Sequence, residues 1–285
     1  MTADFENSKF QVLKIKTPLL RKLNFEDVFD SYAAEIFEMK KDAKKKRVLQ
    51  KDLLEFMDYA WNHSQISEVL NWVLLRVSEF DDEFLYAHKH TLFGWTKRIE
   101  NWWHSDYLSS LFARIVEFEL RAVTEQALAV DPMLQTNLKL QEAFSPKIKS
   151  SKKKTEAIEI DQGTLRRMLP RLKTLQQMIQ WNQKSGQEYS WFRRQSLVSL
   201  LYYSRLRRVV LPCEFLLEMV AAQLEDEDYY VQKAVGWTLR EIYNIYPQRV
   251  TEFLQANVDK VSSHAWQAAS EKLGLRVKKK LLALR

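Results

Sequence analysis

Two tryptophans and a carboxylate stand together in the stretch NWWHSD, residues 101–106, immediately before an apolar segment. If that segment is a helix, its core face is formed by Leu108, Leu111, Phe112, Ile115 and Phe118. Trp102 then lies about 140° from this face and Asp106 about 180°, and the two are neighbours because they are four residues apart. Indole faces attract cations and a carboxylate stabilises developing positive charge, so this group suits chemistry on a cationic substrate.

Other interpretations of this stretch stay open at the level of sequence. Ser105 is a good N-cap residue, and a helix that begins there would leave Trp102 in the preceding loop. Trp102 could also pack beneath a neighbouring helix, and Asp106 could simply stabilise the helix dipole. Trp103 could form a further aromatic wall or pack against the core.

A second tryptophan on a polar face occurs in the segment YYVQKAVGWTLREIYNIY, residues 229–246. Its apolar positions define a core side from which Trp237 is about 145° removed, beside Lys233 and Arg240. Gly236 costs about 1 kcal/mol relative to alanine inside a helix. We expect a close approach by another backbone or by a ligand at this glycine.

Adjacent arginines in the segment EYSWFRRQSLVSLLYY, residues 188–203, are predicted to differ. Arg194 shares a helix face with apolar residues, so its charge needs either a carboxylate partner or an incoming phosphate. A buried structural ion pair is the alternative to a phosphate contact. Arg193 is predicted to point elsewhere and to lie on the ordinary surface.

The elements that carry these residues are predicted to be helices. Apolar residues recur at helical spacing nearly throughout, and the 285 residues include only 5 glycines and 6 prolines. Several tryptophans are spaced by roughly the 40 to 47 residues of a HEAT-like helical pair. We predict one all-α domain over residues 1–285, with a mobile Lys-rich loop at about 145–163 and solvated basic runs at 39–47 and 276–285.

Composition limits the possible functions. The net charge of +7 and the pI of about 9.2 favour an anionic partner such as nucleic acid or a membrane surface. No signal-like N-terminus or long apolar run occurs, so a soluble, cytoplasmic protein is expected. The five histidines and the single Cys213 give no convincing metal set, and no glycine-rich phosphate loop is present, so neither a metal nor a cofactor is predicted.

Four stretches together resemble the DNA alkylation repair glycosylases of the AlkD type. The most specific is YYVQKAVGWTLREIYNIYPQRVTEFLQAN at 229–257, which is similar to the family's IQKAIGW and LREY element. WFRR at 191–194 resembles its Trp-x-x-Arg, NWWHSD at 101–106 its Trp-x-x-x-Asp, and KIKTPLLRKL at 14–23 its N-terminal turn and helix. The resemblance implies a HEAT-like solenoid with a concave basic groove that excises cationic alkylated purines.

The same resemblance implies roles for individual residues. Asp106 would be the catalytic carboxylate, and Trp102 and Trp237 would be the aromatic walls of the site. DNA contacts would come from Arg194, Trp191, Lys233, Arg240 and Trp103. The family's route implies that the aromatics grip the backbone and sugar while the base stays stacked, although the sequence does not choose between this route and base flipping.

Three hypotheses follow. The first is a monomeric DNA glycosylase that excises N3- and N7-alkylated purines, of the 3-methyladenine and 7-methylguanine type, from duplex DNA in base-excision repair. Its partner would be duplex DNA carrying cationic alkylated bases, which would associate the protein with the nucleoid rather than with a membrane. The second is a non-catalytic helical-repeat protein that binds damaged or branched DNA. The third is a protein-binding scaffold whose tryptophans anchor a partner.

Overall fold

The computed structural model describes residues 43–64, 67–130, 158–206 and 209–284. The family-like stretch at 14–23 and residues 145–157 of the predicted mobile loop lie outside this part of the chain. The remaining six residues of that loop take part in regular structure, because residues 158–159 form a strand and Asp161 caps the helix that follows.

The prediction of an all-α fold is confirmed. The described residues form thirteen α-helices: α1 (Ala43–His63), α2 (Ser67–Val77), α3 (Asp82–Ala87), α4 (Lys89–Trp95), α5 (Trp102–Val130), α6 (Gln162–Met168), α7 (Lys173–Asn182), α8 (Ser190–Leu206), α9 (Cys213–Ala221), α10 (Tyr229–Tyr243), α11 (Pro247–Ala256), α12 (Ser263–Ala269) and α13 (Leu275–Leu282). Short 3₁₀ turns occur at Thr96–Arg98, Leu169–Arg171 and Gln187–Tyr189. None of the helices described is both long and apolar enough to cross a membrane.

One short parallel pairing interrupts the helices. Strand β1 (Ile158–Glu159) pairs with β2 (Val209–Val210), in a register that places Ile158 opposite Val209. The backbone N–H of Ile160 extends the ladder by donating to the carbonyl of Val210 at 3.0 Å. This pairing ties the chain before α6 to the chain before α9.

Four helices pack side by side in one continuous series. Helix α5 packs against α8, α8 against α10, and α10 against α12. Helices α2 and α3 also pack on α5, α7 packs on α8, and α9 and α11 pack on α10. Helices of this series therefore alternate along the chain with helices that pack beside them.

Two clusters of buried side chains form the core. The first lies around α1 to α4 and includes Trp61 and Trp95, whose indole rings stack with centroids 5.3 Å apart. The second extends from α6 to α13. Helices α5 and α8 contribute side chains to both clusters, so they form the structural centre of the described chain.

Buried amide side chains fix the loops between successive helices. The side-chain N–H of Asn182 donates to the carbonyl of Met219, and that of Gln223 donates to the carbonyl of Asn182. Gln232 continues the series by donating to the carbonyls of Gln223 and Asp226, and it accepts from the hydroxyl of Ser262. Because buried polar groups need hydrogen-bond partners, these bonds hold the loops in place against the helices.

Candidate functional site

Helix α5 begins at Trp102, so the predicted geometry of its first turn holds. The Asn101 side chain accepts a hydrogen bond from the backbone N–H of His104 at 3.0 Å, and the N–H of Ser105 already donates to the carbonyl of Asn101 at 3.2 Å. Ser105 is therefore inside the helix, and the alternative of a helix that starts there is wrong. Trp102 and Asp106 lie on one side of the first turn.

An ion pair joins Asp106 of α5 to Arg194 of α8. The Nη2 atom of Arg194 donates to Oδ1 of Asp106 at 2.8 Å. The same guanidinium donates from Nε to the hydroxyl of Ser105 at 3.0 Å and from Nη1 to the carbonyl of Tyr230 at 2.8 Å. Arg194 thus connects the starts of α5 and α10, and its need for a carboxylate or a phosphate is met by a carboxylate.

Asp106 is held on one side and remains accessible on the other. Its side chain is 18% exposed, whereas that of Arg194 is 4% exposed. Burial raises the pKa of the Asp106 carboxyl, and the Arg194 guanidinium opposes that rise. Within the described residues the Oδ2 atom of Asp106 has no hydrogen-bond partner, so one carboxylate oxygen can accept from water or a substrate.

Polar residues that sequence reasoning missed fix the orientation of this pair. Gln195 is fully buried, and its side-chain N–H groups donate to the carbonyl and the hydroxyl of Ser105 at 2.8 and 3.1 Å. Its Oε1 atom accepts from the hydroxyl of Ser109 at 2.7 Å. The one sequence signal for these contacts is that Ser105, Ser109 and Gln195 are polar residues at buried helical positions.

The tryptophans at the start of α5 differ in their surroundings. Trp102 is 54% exposed, so it is available to a ligand. Trp103 packs against the core cluster of α1 to α4, and its ring lies 4.4 Å from that of Tyr107. Of the two predicted roles for Trp103, these contacts favour packing.

Helix α10 carries Lys233, Trp237 and Arg240 on successive turns. Its start is fixed by Asp228, whose side chain accepts from the N–H groups of Tyr230 and Val231. Lys233 is half-buried, and Trp237 packs partly buried against the core. Arg240 forms ion pairs with Glu241 and with Glu271 at 3.2 and 2.8 Å.

The expected close approach at Gly236 is made by a neighbouring backbone. A Cβ atom placed there would lie 2.2 Å from the carbonyl oxygen of Ala265 in α12. The glycine therefore permits tight packing of α10 on α12, which fixes the helix that presents Trp237. Of the two predicted causes, backbone or ligand, the structure identifies the backbone.

Trp191 lies at the start of α8 and stacks on Tyr230. The two ring centroids are 4.9 Å apart, with an interplanar angle of 29°. Because the carbonyl of Tyr230 accepts from Arg194, Trp191 adjoins the Asp106 ion pair. Trp237 lies seven residues farther along α10, or about 10 Å of helix rise.

The prediction that Arg193 is a surface residue is wrong. Its side chain forms an ion pair with Asp226, and both side chains are 7% exposed. It also donates to the carbonyl of Gly186 at 2.7 Å. The amphipathic pattern assumed one buried face, but α8 packs against α5, α7 and α10 on different sides.

The part of the chain that the structure describes offers no metal-binding cluster beside these residues. Among the described residues there is no group of three or more histidine, cysteine or acidic side chains that could hold a metal ion. Cys213 is buried at the first residue of α9, which makes it a core thiol. The chemical groups of the candidate site are the Asp106 carboxylate, the aromatic rings and the basic side chains.

Comparison with known proteins gives one family match, which covers part of this chain. Residues 159–273 match the model of a family described as DNA alkylation repair enzyme. The match confirms, over these residues, the resemblance to DNA alkylation repair proteins that was found in the sequence. No curated protein and no solved structure gives a significant match.

The matched segment contains some residues of the candidate site but not all of them. Trp191, Arg194, Lys233, Trp237 and Arg240 lie within residues 159–273, whereas Trp102, Trp103 and Asp106 precede them. The Arg194–Asp106 ion pair crosses this boundary. The match supports a role in DNA alkylation repair, with DNA as the partner; it does not indicate which base is removed or how.

Proposed function

We propose that this protein is a DNA glycosylase that excises positively charged N3- and N7-alkylated purines from duplex DNA. One observation carries the proposal: Asp106 is bound directly to Arg194, inside the segment that matches the repair family, and it keeps one carboxylate oxygen free of protein partners in the described chain. A carboxylate held in this way beside an exposed indole is suited to a cationic leaving group.

The proposed chemistry begins with the weak glycosidic bond of a cationic purine. As that bond breaks, positive charge develops on the sugar, and a fixed carboxylate close to the sugar stabilises it. The Oδ2 atom of Asp106 would face this charge or orient the attacking water, while Oδ1 stays bound to Arg194. The base departs as a neutral purine once the bonding electrons return to its ring.

The aromatic rings would hold the nucleotide that contains the lesion. Trp102 is the exposed indole beside Asp106, and Trp237 would form the second wall from α10. Indole faces attract cations by about 0.5 to 2 kcal/mol, depending on desolvation. The series α5, α8, α10 and α12 is consistent with a HEAT-like solenoid whose groove would carry these rings.

Basic side chains would then bind the phosphates. Lys233 and Arg240 are on the same helix as Trp237, and Trp191 lies beside the Arg194 contact with α10. We assign Arg194 first to the orientation of Asp106, because three of its donors already bind protein oxygens. A guanidinium has five N–H donors, so a phosphate contact remains compatible with this assignment.

The second candidate function is non-catalytic DNA binding, and the same ion pair favours it. Arg194 offsets the negative charge of Asp106, which weakens the field that the carboxylate could exert on a sugar cation. A protein that only recognises alkylated or branched DNA would need the aromatic and basic residues but not the free oxygen of Asp106.

Base release separates the two candidates. Wild type and the Asp106→Asn variant are incubated with methylated duplex DNA, and free 7-methylguanine is measured by chromatography. The matched control is Asp82→Asn, because Asp82 pairs at 2.6 Å with Arg114 of α5, the helix that carries Asp106. Release by wild type and by the control, but not by Asp106→Asn, supports the glycosylase. Release no greater than in buffer for all three leaves the DNA-binding candidate.

A further inference from the structure

The last helix of the chain is basic along its whole length. Helix α13 (Leu275–Leu282) carries Arg276, Lys278, Lys279 and Lys280, and no acidic residue occurs from Lys272 to the C-terminal residue. Arg276, Lys279 and Lys280 are exposed. Such a concentration of one sign of charge attracts a polyanion.

The apolar side of this helix is already occupied. Leu273 and Leu281 are buried in the core cluster of α6 to α13, and Val277 packs against the same cluster. Val277 and Leu281 are four residues apart and lie on one side of the helix, and Leu273 lies just before the helix begins. The helix is therefore fixed to the fold, and its basic residues project from the flanks and the outer side.

The turn before α13 lies against the face of α10 that carries Trp237. Trp237 and Arg240 lie on one side of that helix, and Asn244 is its C-cap residue. Glu271 pairs with Arg240 at 2.8 Å, and the Nζ atom of Lys272 donates to Oδ1 of Asn244 at 2.6 Å. The turn that leads into α13 thus lies against the helix that holds the candidate DNA contacts.

We propose that α13 is a second DNA-contact surface, on which Arg276, Lys279 and Lys280 bind backbone phosphates outside the nucleotide that is excised. The proposal rests on the proposed function for the identity of the ligand as duplex DNA. It adds to that function a region that contributes affinity but takes no part in bond cleavage. Phosphate contacts of this type position a protein on DNA without reading its sequence.

An anionic membrane is the competing partner for a basic helix with exposed leucines. Leu275 and Leu282 are exposed, but the apolar stripe that would have to enter a bilayer is buried in the core. The helix is also only eight residues, or about 12 Å, long. Contact between the preceding turn and α10, which carries the candidate DNA contacts, favours DNA.

The salt dependence of binding tests the proposal. Affinity for an undamaged 20-bp duplex is measured by fluorescence anisotropy from 50 to 200 mM KCl, for wild type and for the double variant Lys279→Gln, Lys280→Gln. Each phosphate contact contributes about 0.9 to the slope of log K against log salt, so the variant's slope should be shallower by about 1.8. The control of equal charge change is Arg171→Gln, Lys173→Gln, at exposed positions beside and on α7.

Four results decide the outcome. A shallower slope for the α13 variant, with the wild-type slope for the control, supports the proposal. Equal slopes for wild type and the α13 variant overturn it, as does an equal loss in both variants. Charge-dependent sedimentation with phosphatidylglycerol vesicles, combined with an unchanged DNA slope, also overturns it and assigns α13 to a membrane surface.

The salt dependence of DNA binding can be measured independently of the excision reaction. Single-turnover release of 7-methylguanine at saturating protein should be the same for wild type and the α13 variant, because α13 is placed outside the site of cleavage. If wild type releases no base but the slopes differ as predicted, the glycosylase proposal fails and the α13 surface stands. If base is released and the slopes are equal, the α13 proposal fails and the glycosylase proposal stands.

Discussion

Two adjacent arginines of α8 each bind an aspartate, and the two ion pairs differ in how completely they are enclosed. Arg193 and Asp226 are both 7% exposed, and Asp226 also accepts from the backbone N–H of Asp228 at 2.8 Å. Arg194 is similarly buried, but its partner Asp106 is 18% exposed and has an oxygen without a partner in the described chain. The first pair is saturated by the protein, and the second is open on one side.

This difference indicates different roles. A closed ion pair fixes the loop before α10 against the start of α8, so its loss is a loss of folding free energy. An open pair leaves part of the desolvation of Asp106 uncompensated, and accordingly the pKa of that carboxyl is raised by burial. Perturbed carboxylates of this type concentrate at functional sites.

The largest effect on the free energy of unfolding should come from removing the enclosed Arg193–Asp226 ion pair. Asp226→Ala leaves Arg193 buried without its carboxylate, which typically costs about 3–5 kcal/mol. Urea unfolding should show this loss in the free energy of unfolding. The control is Glu214→Ala, which breaks the exposed pair with Arg249 and should cost about 1 kcal/mol or less. Equal costs for the two variants would remove the distinction between closed and open pairs.

Asp106→Asn should affect the rate rather than the fold. The amide oxygen can still accept from Arg194, but it carries no charge to stabilise the sugar cation. Removing one such electrostatic contact typically lowers the rate about 10²- to 10³-fold. Single-turnover excision and urea unfolding measure the two effects, and a variant that excises at the wild-type rate would exclude Asp106 as the catalytic group.

Gly236→Ala should separate α10 from α12. The new methyl group would lie 2.2 Å from a backbone oxygen that cannot move alone, and overpacking of this kind costs about 1–3 kcal/mol. Gly94→Ala in α4 is the control, because a Cβ there meets nothing within 4 Å and alanine favours a helix. Thermal unfolding should show a lower midpoint for Gly236→Ala alone; equal midpoints would argue against the tight contact.

Trp102→Ala should weaken binding without altering stability. The side chain is 54% exposed, so the free energy of unfolding should change by no more than about 0.5 kcal/mol. Binding of methylated DNA should weaken by the cation–indole contribution of about 0.5 to 2 kcal/mol. Trp103→Ala is the matched control and should do the opposite, because Trp103 packs on the core. Equal effects on stability would assign both rings to packing.

The smallest effect concerns pH. Asp106 acts as a carboxylate, and its pKa is raised, so excision should begin to fall at a higher pH than an ordinary aspartate would produce. Arg194→Gln removes the charge that lowers this pKa, and the acidic limb of the pH–rate profile should move farther upward. A limb that stays in place would show that another group titrates.

Stability should follow the same group with a defined sign. The folded protein holds the Asp106 proton more tightly than the unfolded chain, so acid favours the folded state through this residue. Its contribution is lost as the pH rises from the unfolded to the folded pKa. The stability of wild type relative to Asp106→Asn should therefore decline over that interval in urea titrations; a rise would contradict the assigned direction.

Sequence periodicity predicted the local geometry well and the tertiary partners poorly. Helical spacing predicted the all-α class and the polar side of α5 at Trp102 and Asp106. The cost of a glycine inside a helix predicted the close approach at Gly236. The partner of Arg194 could not, because Asp106 is 88 residues away along the chain. The prediction that Arg193 lies on the surface was wrong for a related reason. The apolar pattern of one helix does not reveal how many neighbouring helices enclose it.

The most direct test compares the two aspartates in one excision experiment. Single-turnover release of 7-methylguanine is measured for Asp106→Asn and Asp226→Asn, and each rate is divided by the fraction of protein that is folded under the same conditions. We predict that Asp106→Asn is folded and loses activity about 10²- to 10³-fold, whereas folded Asp226→Asn excises at the wild-type rate. Activity in both variants that follows only the folded fraction would contradict the account, because the open ion pair would then be as purely structural as the closed one.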